Sequence, residues 1–367
     1  MKIRHLTQFL GIGGLERVLF ILMQEQKRQG HDVELMVYDY EQGWVEHFKK
    51  QGLTVRHAYL KKAGYDRQLI SQIDKYLHGA DVVHTHDVNP KMYLAPLFLM
   101  NKIKGKKNPR FVHTAHGMDH IHSRPVTQWY ERMTSVVVDA VVGVSRPVCD
   151  AYIQKLNVPE RKVHLIENGT PLPESDQYSK IECHRQLVER FKLDPNHFIA
   201  IAVARVVPLK DQKLLVDAFR SLSNATLLLV GPSGDDQYWQ ELERNKPANV
   251  IMAGGQSDID RILAGADIFV SASHHEGIPV SVLEAGAMQL PCLLSSIPGH
   301  ETLQTKSTKS IARFFPVTDK EKFIQSFTEL QTHTSLRDEI ALNLKELVRK
   351  HYSARIMCDK YLSLYTR

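Results

Sequence analysis

The stretch Asn168-Gly169-Thr170-Pro171-Leu172-Pro173-Glu174-Ser175 divides the chain. One glycine and two prolines in so short a span stop both helix and strand. The same rhythm of short β-branched runs and longer amphipathic segments lies on both sides of it. Before it, strands are expected at Lys2–Thr7, Val33–Tyr38, Val82–His84, Arg110–Thr114, Ala140–Val144 and Val163–Ile166. The first helix, Leu15–Gln29, carries Leu15, Val18, Leu19 and Leu22 on one face and stops at Gly30. After the stretch, strands are expected at Phe198–Ala204, Thr226–Val230, Val250–Ala253, Ile268–Ser271, Cys292–Ser295 and Ile311–Phe315. Helices are expected at Gln212–Ser221, Ile259–Ala264 and Val280–Met288, and the tail from Thr318 reads as mostly helical. Strands alternating with helices imply parallel βαβ units. The fold class is therefore α/β: two Rossmann-like, doubly wound parallel-sheet domains facing a central cleft, divided near residue 170. A chain of 367 residues is too long for one ordinary core. Ligands of such folds sit outside the C-terminal ends of the strands.

Composition is that of an ordinary globular protein, with 43% hydrophobic and 24% charged residues. No apolar run approaches the ~18–20 residues of a membrane-spanning helix. Met1–Leu10 reads as a first strand rather than a secretory leader, so the expected address is cytoplasmic. Cys149, Cys183, Cys292 and Cys358 are far apart and read as free buried thiols of a reducing compartment. Charge is uneven: residues 1–170 carry +7 and residues 171–367 carry −1, which together make the +6 of the chain. Much of the excess is the run Lys102, Lys104, Lys106, Lys107 and Arg110. It reads either as a solvated loop or as a weak contact with anionic membrane, each basic residue contributing about 1 kcal/mol there. Nucleic acid is disfavoured, because no aromatic interleaving or reader motif accompanies the charge.

Four motifs close predicted strands. Gly11-Ile12-Gly13-Gly14-Leu15-Glu16 follows the first strand and opens a helix, letting backbone approach an anionic ligand; a purely structural turn is the competing reading. Arg205-Val-Val-Pro-Leu-Lys210 sets two cations after the first strand of the second domain, a planar fork and a mobile point charge suited to phosphate. In Glu276-Gly277-Ile278-Pro279-Val-Ser-Val-Leu-Glu284, Pro279 suits the first helical turn, and the N–H groups near this helix start offer a phosphate seat; a capped surface helix with incidental acids is the competing reading. His84-Thr-His86-Asp87 and His113-Thr-Ala-His116-Gly117 close two first-domain strands. They read as lining for a sugar pocket or as a hydrolase-type metal site built on His84, His86 and His116.

Taken in order, these blocks resemble the family-4 glycosyltransferases, whose fold is GT-B. Gly13-Gly14-Leu15-Glu16, His116-Gly117, Val142-Gly143-Val144-Ser145, Asn168-Gly169, Ala204-Arg205 through Lys210-Asp211, and Ala266 through Glu284-Ala285 match the family's blocks along nearly the whole chain. The Glu-x7-Glu block is the most specific. Two departures stand out: Ala204 and Asp211 occupy positions where the family usually has glycine.

The resemblance implies an acceptor domain over 1–170, a nucleotide-sugar donor domain over 171–350 and a last helix, 351–367, crossing back to the first domain. It implies a retaining hexosyltransferase; the basic run adds an expected place in surface polysaccharide, lipopolysaccharide or glycolipid synthesis, peripheral on the inner face of the plasma membrane. Its partners would be a nucleotide sugar and a glycan or lipid-linked acceptor. Arg205 and Lys210, with N–H groups near Gly277, Ile278 and Pro279, would hold the donor diphosphate. Glu284 would bind the ribose, Glu276 and His116 the transferred sugar, and Gly255 and Gln256 the base. Gly13 and Gly14 would approach the diphosphate and acceptor. The family needs no cofactor and no metal. The alternatives are a non-catalytic nucleotide-sugar-binding subunit and a GT-B-fold sugar-nucleotide epimerase.

Overall fold

The computed structural model describes residues 1–11, 13–39, 44–57, 59–86, 88–117, 125–174 and 177–366. It forms two compact units. The first comprises Met1–Asn168 together with Ala354–Arg367, and the second is Gly169–Ser353.

In chain order the first unit contains β1 (Lys2–Thr7), α1 (Gly14–Arg28), β2 (Asp32–Val37), α2 (Trp44–Lys50), β3 (Thr54–Arg56), α3 (Arg67–Tyr76), β4 (Val82–Thr85), α4 (Val88–Ile103), β5 (Arg110–Ala115), α5 (Pro125–Ser135), β6 (Ala140–Gly143), α6 (Arg146–Gln154) and β7 (Val163–Leu165). The second unit contains α7 (Lys180–Phe191), β8 (Phe198–Val203), α8 (Gln212–Phe219), β9 (Ala225–Val230), α9 (Asp236–Asn245), β10 (Val250–Gly254), α10 (Ile259–Gly265), β11 (Ile268–Ser271), α11 (Val280–Ala287), β12 (Cys292–Ser295), α12 (Pro298–Gln304), β13 (Arg313–Phe315), α13 (Lys320–Thr332) and α14 (Thr334–His351). The last helix, α15 (Ala354–Tyr365), belongs to the first unit. Thr170 bridges Ser353 at the edge of the second unit, so the chain enters and leaves that unit at adjacent points.

The sheets run β3-β2-β1-β4-β5-β6-β7 and β10-β9-β8-β11-β12-β13, and the paired strands are parallel. Both orders reverse direction once, between β1 and β4 and between β8 and β11, as in a doubly wound fold. Strand β3 was not among the expected strands. Thr54-Val55-Arg56 has a single apolar residue and pairs only with β2 at the edge, so it carries no alternating pattern.

Side-chain alternation builds the cores. In β8, Ile199 and Ile201 enter one core of the second unit, whereas Ala200 and Ala202 enter the other. Leu228 and Val230 part from Leu227 and Leu229 in the same way along β9. Burial on both faces is what a central parallel strand requires. In the first unit, Leu6, Val83 and Phe111 share one core. Period two then assigns His5, His84 and Thr114 to the opposite face. There α15 docks on α1, with Gln29 Nε2 donating to Asp359 Oδ1 at 2.9 Å.

Helices α4, α5 and α6 are pinned by a buried charge pair. The Lys91 ammonium donates to Glu131 Oε2 with both side chains fully buried, and the Tyr152 hydroxyl donates to the same oxygen at 3.0 Å. Removing one partner strands the other charge in a dry site, whereas removing both does not. Lys91→Met is expected to lower unfolding free energy by about 3–5 kcal/mol, and Lys91→Met with Glu131→Leu to recover most of it. Urea denaturation of the two variants checks this; equal losses would contradict it.

Candidate active site

Because β8 and β11 lie side by side where the second sheet reverses, the loops leaving their C-terminal ends converge. From β8 come Arg205 and a 3-10 turn, Pro208–Lys210. From β11 come Ser273, His274 and Glu276. The Lys210 ammonium donates to Glu276 Oε1 at 2.6 Å, with both side chains 18% exposed. The Ser273 hydroxyl donates to the same oxygen at 2.8 Å, and the His274 N–H donates to the Leu209 carbonyl at 3.0 Å. Gln212 Nε2 donates to the Arg205 carbonyl at 2.9 Å and fixes the backbone there, while the Arg205 side chain is exposed.

Glu284 is buried on the second turn of α11, and Gly277 is exposed ahead of that helix. Pro279 was expected in the first helical turn; it is the N-cap instead, with extended backbone, and Val280 opens the helix. The first turn of α12 packs closely here. A Cβ on Gly299 would lie 2.3 Å from the Glu276 carbonyl oxygen and 2.5 Å from that of Gly277, so only glycine fits. Gly255 is exposed after β10, but the Gln256 carboxamide is bound to the Arg190 guanidinium and the Ala253 carbonyl. Arg190 in turn pairs with Asp258 at 2.7 Å.

Asp211 explains one of the two departures. Its φ of 44° lies in the left-handed region where glycine is at ease. The aspartate side chain supplies what glycine lacks: it caps α8 by accepting from the Leu214 N–H at 3.2 Å, and it meets His274 Nε2 at 3.2 Å. It thereby ties the Lys210 loop to the Glu276 loop. Ser273 and Asp211 carry no motif of their own as site residues, so sequence reasoning passed them over in that role.

In the first unit Gly13 is the N-cap of α1. The Glu16 carboxylate folds back over the glycine loop, accepting from the Gly11 N–H at 3.1 Å, and a Cβ on Gly13 would come within 2.8 Å of it. Gly14 has open space around it. Ile12 and Asp87 lie outside the described residues.

The histidines sort by sheet face. His113 faces Thr85 Oγ1 at 2.9 Å. On the opposite face, His116 Nε2 lies 3.2 Å from His86 Nδ1, and His86 Nε2 lies 2.9 Å from His5 Nδ1. Burial pushes His5 and His116 down to about 4, and His84 and His86 well below the usual imidazole range. Among the described residues, the trio whose nitrogens converge within 4.8 Å is His5, His84 and His86, rather than the expected set with His116. Both ring nitrogens of all three already hold hydrogen bonds. A cation there would have to displace those bonds. Only the equal spacing of His84 and His86, and of Thr114 and His116, signalled this shared face in the sequence.

Two all-parallel sheets, with cations and carboxylates at the reversal of the second, define the class of a GT-B-type transferase. Residues 12–173 match the Glycosyltransferase Family 4 model and residues 185–346 the Glycosyl transferases group 1 model. The chain is a glycosyltransferase and belongs to the family-4 group of the GT-B fold. It is similar to the UDP-Gal:alpha-D-GlcNAc-diphosphoundecaprenol alpha-1,3-galactosyltransferase of Escherichia coli, at 22% identity over 100% of this chain and 96% of that one. It is also similar to the lipopolysaccharide core biosynthesis glycosyltransferase LpsE of Rhizobium meliloti, at 22% identity over 99% and 98%. Anabaena HepE, solved in complex with UDP and glucose, shares the fold at a TM-score of 0.84, with 16% identity over 100% of this chain and 99% of that one.

The buried histidines make stability depend on pH. Unfolded, an imidazole binds its proton near pH 6.5; folded, His5 binds it only near 4. Below about pH 6.5 the unfolded chain therefore binds more protons, and stability is lost as pH falls toward 4. Each such histidine contributes a slope of up to about 1.4 kcal/mol per pH unit. Urea midpoints should drop between pH 6.5 and 5, above the range where carboxylates titrate; a flat profile would contradict the neutral cluster.

Proposed function

We propose that the chain moves a hexose from a nucleoside-diphosphate sugar, a UDP-sugar in the first instance, onto a lipid-linked acceptor with retention at the anomeric carbon. The observation that carries this reading is the convergence of Arg205, Lys210 and Glu276 at the reversal point of the second sheet. An ammonium has three N–H groups. One of Lys210's is engaged by Glu276, leaving two for phosphate oxygens. Arg205 adds an exposed fork, and the N–H groups about Gly277 and Ile278 add partial positive charge. These groups meet the negative charge that grows on the diphosphate as its bond to the anomeric carbon breaks. The acceptor oxygen forms its bond on the same face, and its proton passes to the departing diphosphate oxygen. Glu276 orients the sugar through its hydroxyls, Glu284 accepts from the ribose, and His116 with the loop of Gly13 and Gly14 serves the reacting sugar and acceptor. The cations stand in for a metal in this scheme. The relatives support the choice of substrates: one is named for UDP-Gal and a diphosphoundecaprenol-linked sugar, and another for lipopolysaccharide core synthesis.

Arg205→Ala and Lys210→Ala are each expected to lower kcat by roughly 10²-fold or more, while the wild-type rate is unchanged by excess chelator. Turnover within a few-fold of wild type in both variants would remove the assigned role. Product analysis with labelled nucleotide sugar separates the alternatives: an epimerised donor without transfer would mean an epimerase, and binding without turnover a non-catalytic subunit.

We also propose that the end of α4 meets anionic membrane. Lys102, Lys104, Lys106 and Lys107 are exposed, and beside them Leu99, Met100 and Ile103 show large apolar side chains to solvent. Arg110 does not join this face, because its Nε donates to the Leu364 carbonyl at 2.7 Å, at the end of α15. Among the described residues no helix is long and apolar enough to cross a membrane, so the contact is peripheral. Four lysines contribute about 4 kcal/mol. Replacing all four by alanine should weaken sedimentation with phosphatidylglycerol vesicles at low salt by roughly 10³-fold. Wild-type protein that ignores such vesicles would end this reading.

A further inference from the structure

His116 ends a chain of hydrogen bonds that runs through the buried face of the first unit. Its Nε2 meets His86 Nδ1 at 3.2 Å, and His86 Nε2 meets His5 Nδ1 at 2.9 Å. His5 Nε2 meets Gln26 Oε1 at 2.8 Å, and Gln26 Nε2 donates to the Tyr365 hydroxyl at 3.2 Å. That hydroxyl meets His84 Nδ1 at 2.7 Å, and His84 Nε2 meets Thr114 Oγ1 at 2.7 Å. Thr114 Oγ1 also bonds the Tyr361 hydroxyl at 3.0 Å. His5, Gln26, His84, His86, Thr114, Tyr361 and Tyr365 are all buried.

A neutral imidazole has one N–H and one lone pair, so every link must point the same way. The carboxamide of Gln26 sets that direction. Its oxygen faces His5 and can only accept, so His5 carries its hydrogen on Nε2 and offers a lone pair at Nδ1. His86 must then donate from Nε2 and accept at Nδ1. His116 must likewise donate from Nε2, which leaves its Nδ1 a bare acceptor. Beyond Gln26 the direction holds: its NH2 donates to Tyr365, Tyr365 donates to His84 Nδ1, and His84 donates from Nε2 to Thr114. No member is left with two hydrogens or two lone pairs face to face. The opposite polarity would require Gln26 and every imidazole to reverse together, and it would place a hydrogen on His116 Nδ1.

We propose that Gln26 on α1 and Tyr365 on the returning helix α15 are positioning residues for His116: acting through His5 and His86, they fix its Nε2–H tautomer, so that it meets the sugar with Nδ1 as a hydrogen-bond acceptor. This rests on the role given above to His116. The partner it selects is a hydroxyl, which can donate to a lone pair, rather than a phosphate oxygen, which cannot. Helix α15 thus does more than cover α1; its terminal tyrosine holds the amide that orients the chain. The low proton affinity of the four histidines keeps the chain neutral at physiological pH.

The test is the tautomeric state of His116 read by long-range ¹H–¹⁵N correlation in the full-length protein, assigned with His116→Gln. The expected wild-type result is Nε2–H with an unprotonated Nδ1. Wild-type His116 found as Nδ1–H overturns the proposal. In Tyr365→Phe, which retains the ring and its packing, Gln26 loses its anchor and His116 should become a mixture of tautomers. Turnover should then fall about ten- to a hundredfold, the effect of a misdirected hydrogen bond to substrate. Gln26→Glu keeps an acceptor toward His5 and should restore the Nε2–H form where Gln26→Leu does not. An unchanged tautomer in both Tyr365→Phe and Gln26→Leu overturns the proposal. So does a scrambled tautomer with transfer at the wild-type rate. Absence of transfer in wild-type protein with His116 in the Nε2–H form would instead fail the functional reading alone.

Discussion

Parallel strands cannot be joined by a tight turn; each connection must cross back over one face of the sheet before the next strand begins. When successive crossovers change direction, two neighbouring strands send their loops to opposite faces and leave room between them. In the second unit those strands are β8 and β11, and the residues that follow them, Lys210 and Glu276, meet despite lying 66 positions apart. The pair exists because Ile199, Ile201 and Phe269 on one face and Ala200, Ala202 and Val270 on the other bury the sheet and set the two strands side by side. Contacts of Ser273, His274 and Asp211 then fix the pair once the two loops are adjacent. The meeting of Lys210 and Glu276 is thus a consequence of core packing.

The first unit uses the same topology to different effect. Its reversal lies between β1 and β4, and the side chains at the ends of β1, β4 and β5 on one face include His5, His84, His86 and His116. Four imidazoles packed with few charges would be unfavourable if any were protonated. They persist because each hydrogen bond of one is completed by the next, and because Gln26, Thr114, Tyr361 and Tyr365 close the ends. A fully satisfied buried network of this kind specifies one arrangement, and it loses that property if a single member drops out.

Much of the architecture was legible because its signals are local. Alternation of strand and helix, the Gly-Pro-Pro division near residue 170 and the strand-end motifs each lie within a dozen residues. What escaped depends on distance or on weak pattern. Strand β3 has too little apolar content to show itself. Arg110 looked like one more member of a basic run, whereas the fold turns it to the last carbonyls of α15. Gln256 sits in the segment assigned to the base, but Arg190, far earlier in the chain, binds its carboxamide. The histidines invited a metal reading because residue type is visible in sequence and hydrogen-bond direction is not. Period two does show that His84 and His86 share a face. It cannot show that Tyr365 comes back to meet them.

Asp211 shows how a departure from a family pattern can be neutral for the site and still carry information. A left-handed backbone costs an ordinary residue roughly 1–2 kcal/mol, which is why glycine is common there. Aspartate tolerates that conformation better than most, because its short polar side chain bonds locally. Here it caps α8 through the Leu214 N–H and reaches His274 beside Glu276. The capping bond alone is worth about 1 kcal/mol, comparable with the backbone penalty. The contact with His274 then makes the position of the Lys210 turn depend on the β11 loop. Glycine would give the same backbone with more freedom and no such link. The substitution therefore exchanges flexibility of the cation loop for a fixed relation between Lys210 and Glu276, which meet at 2.6 Å.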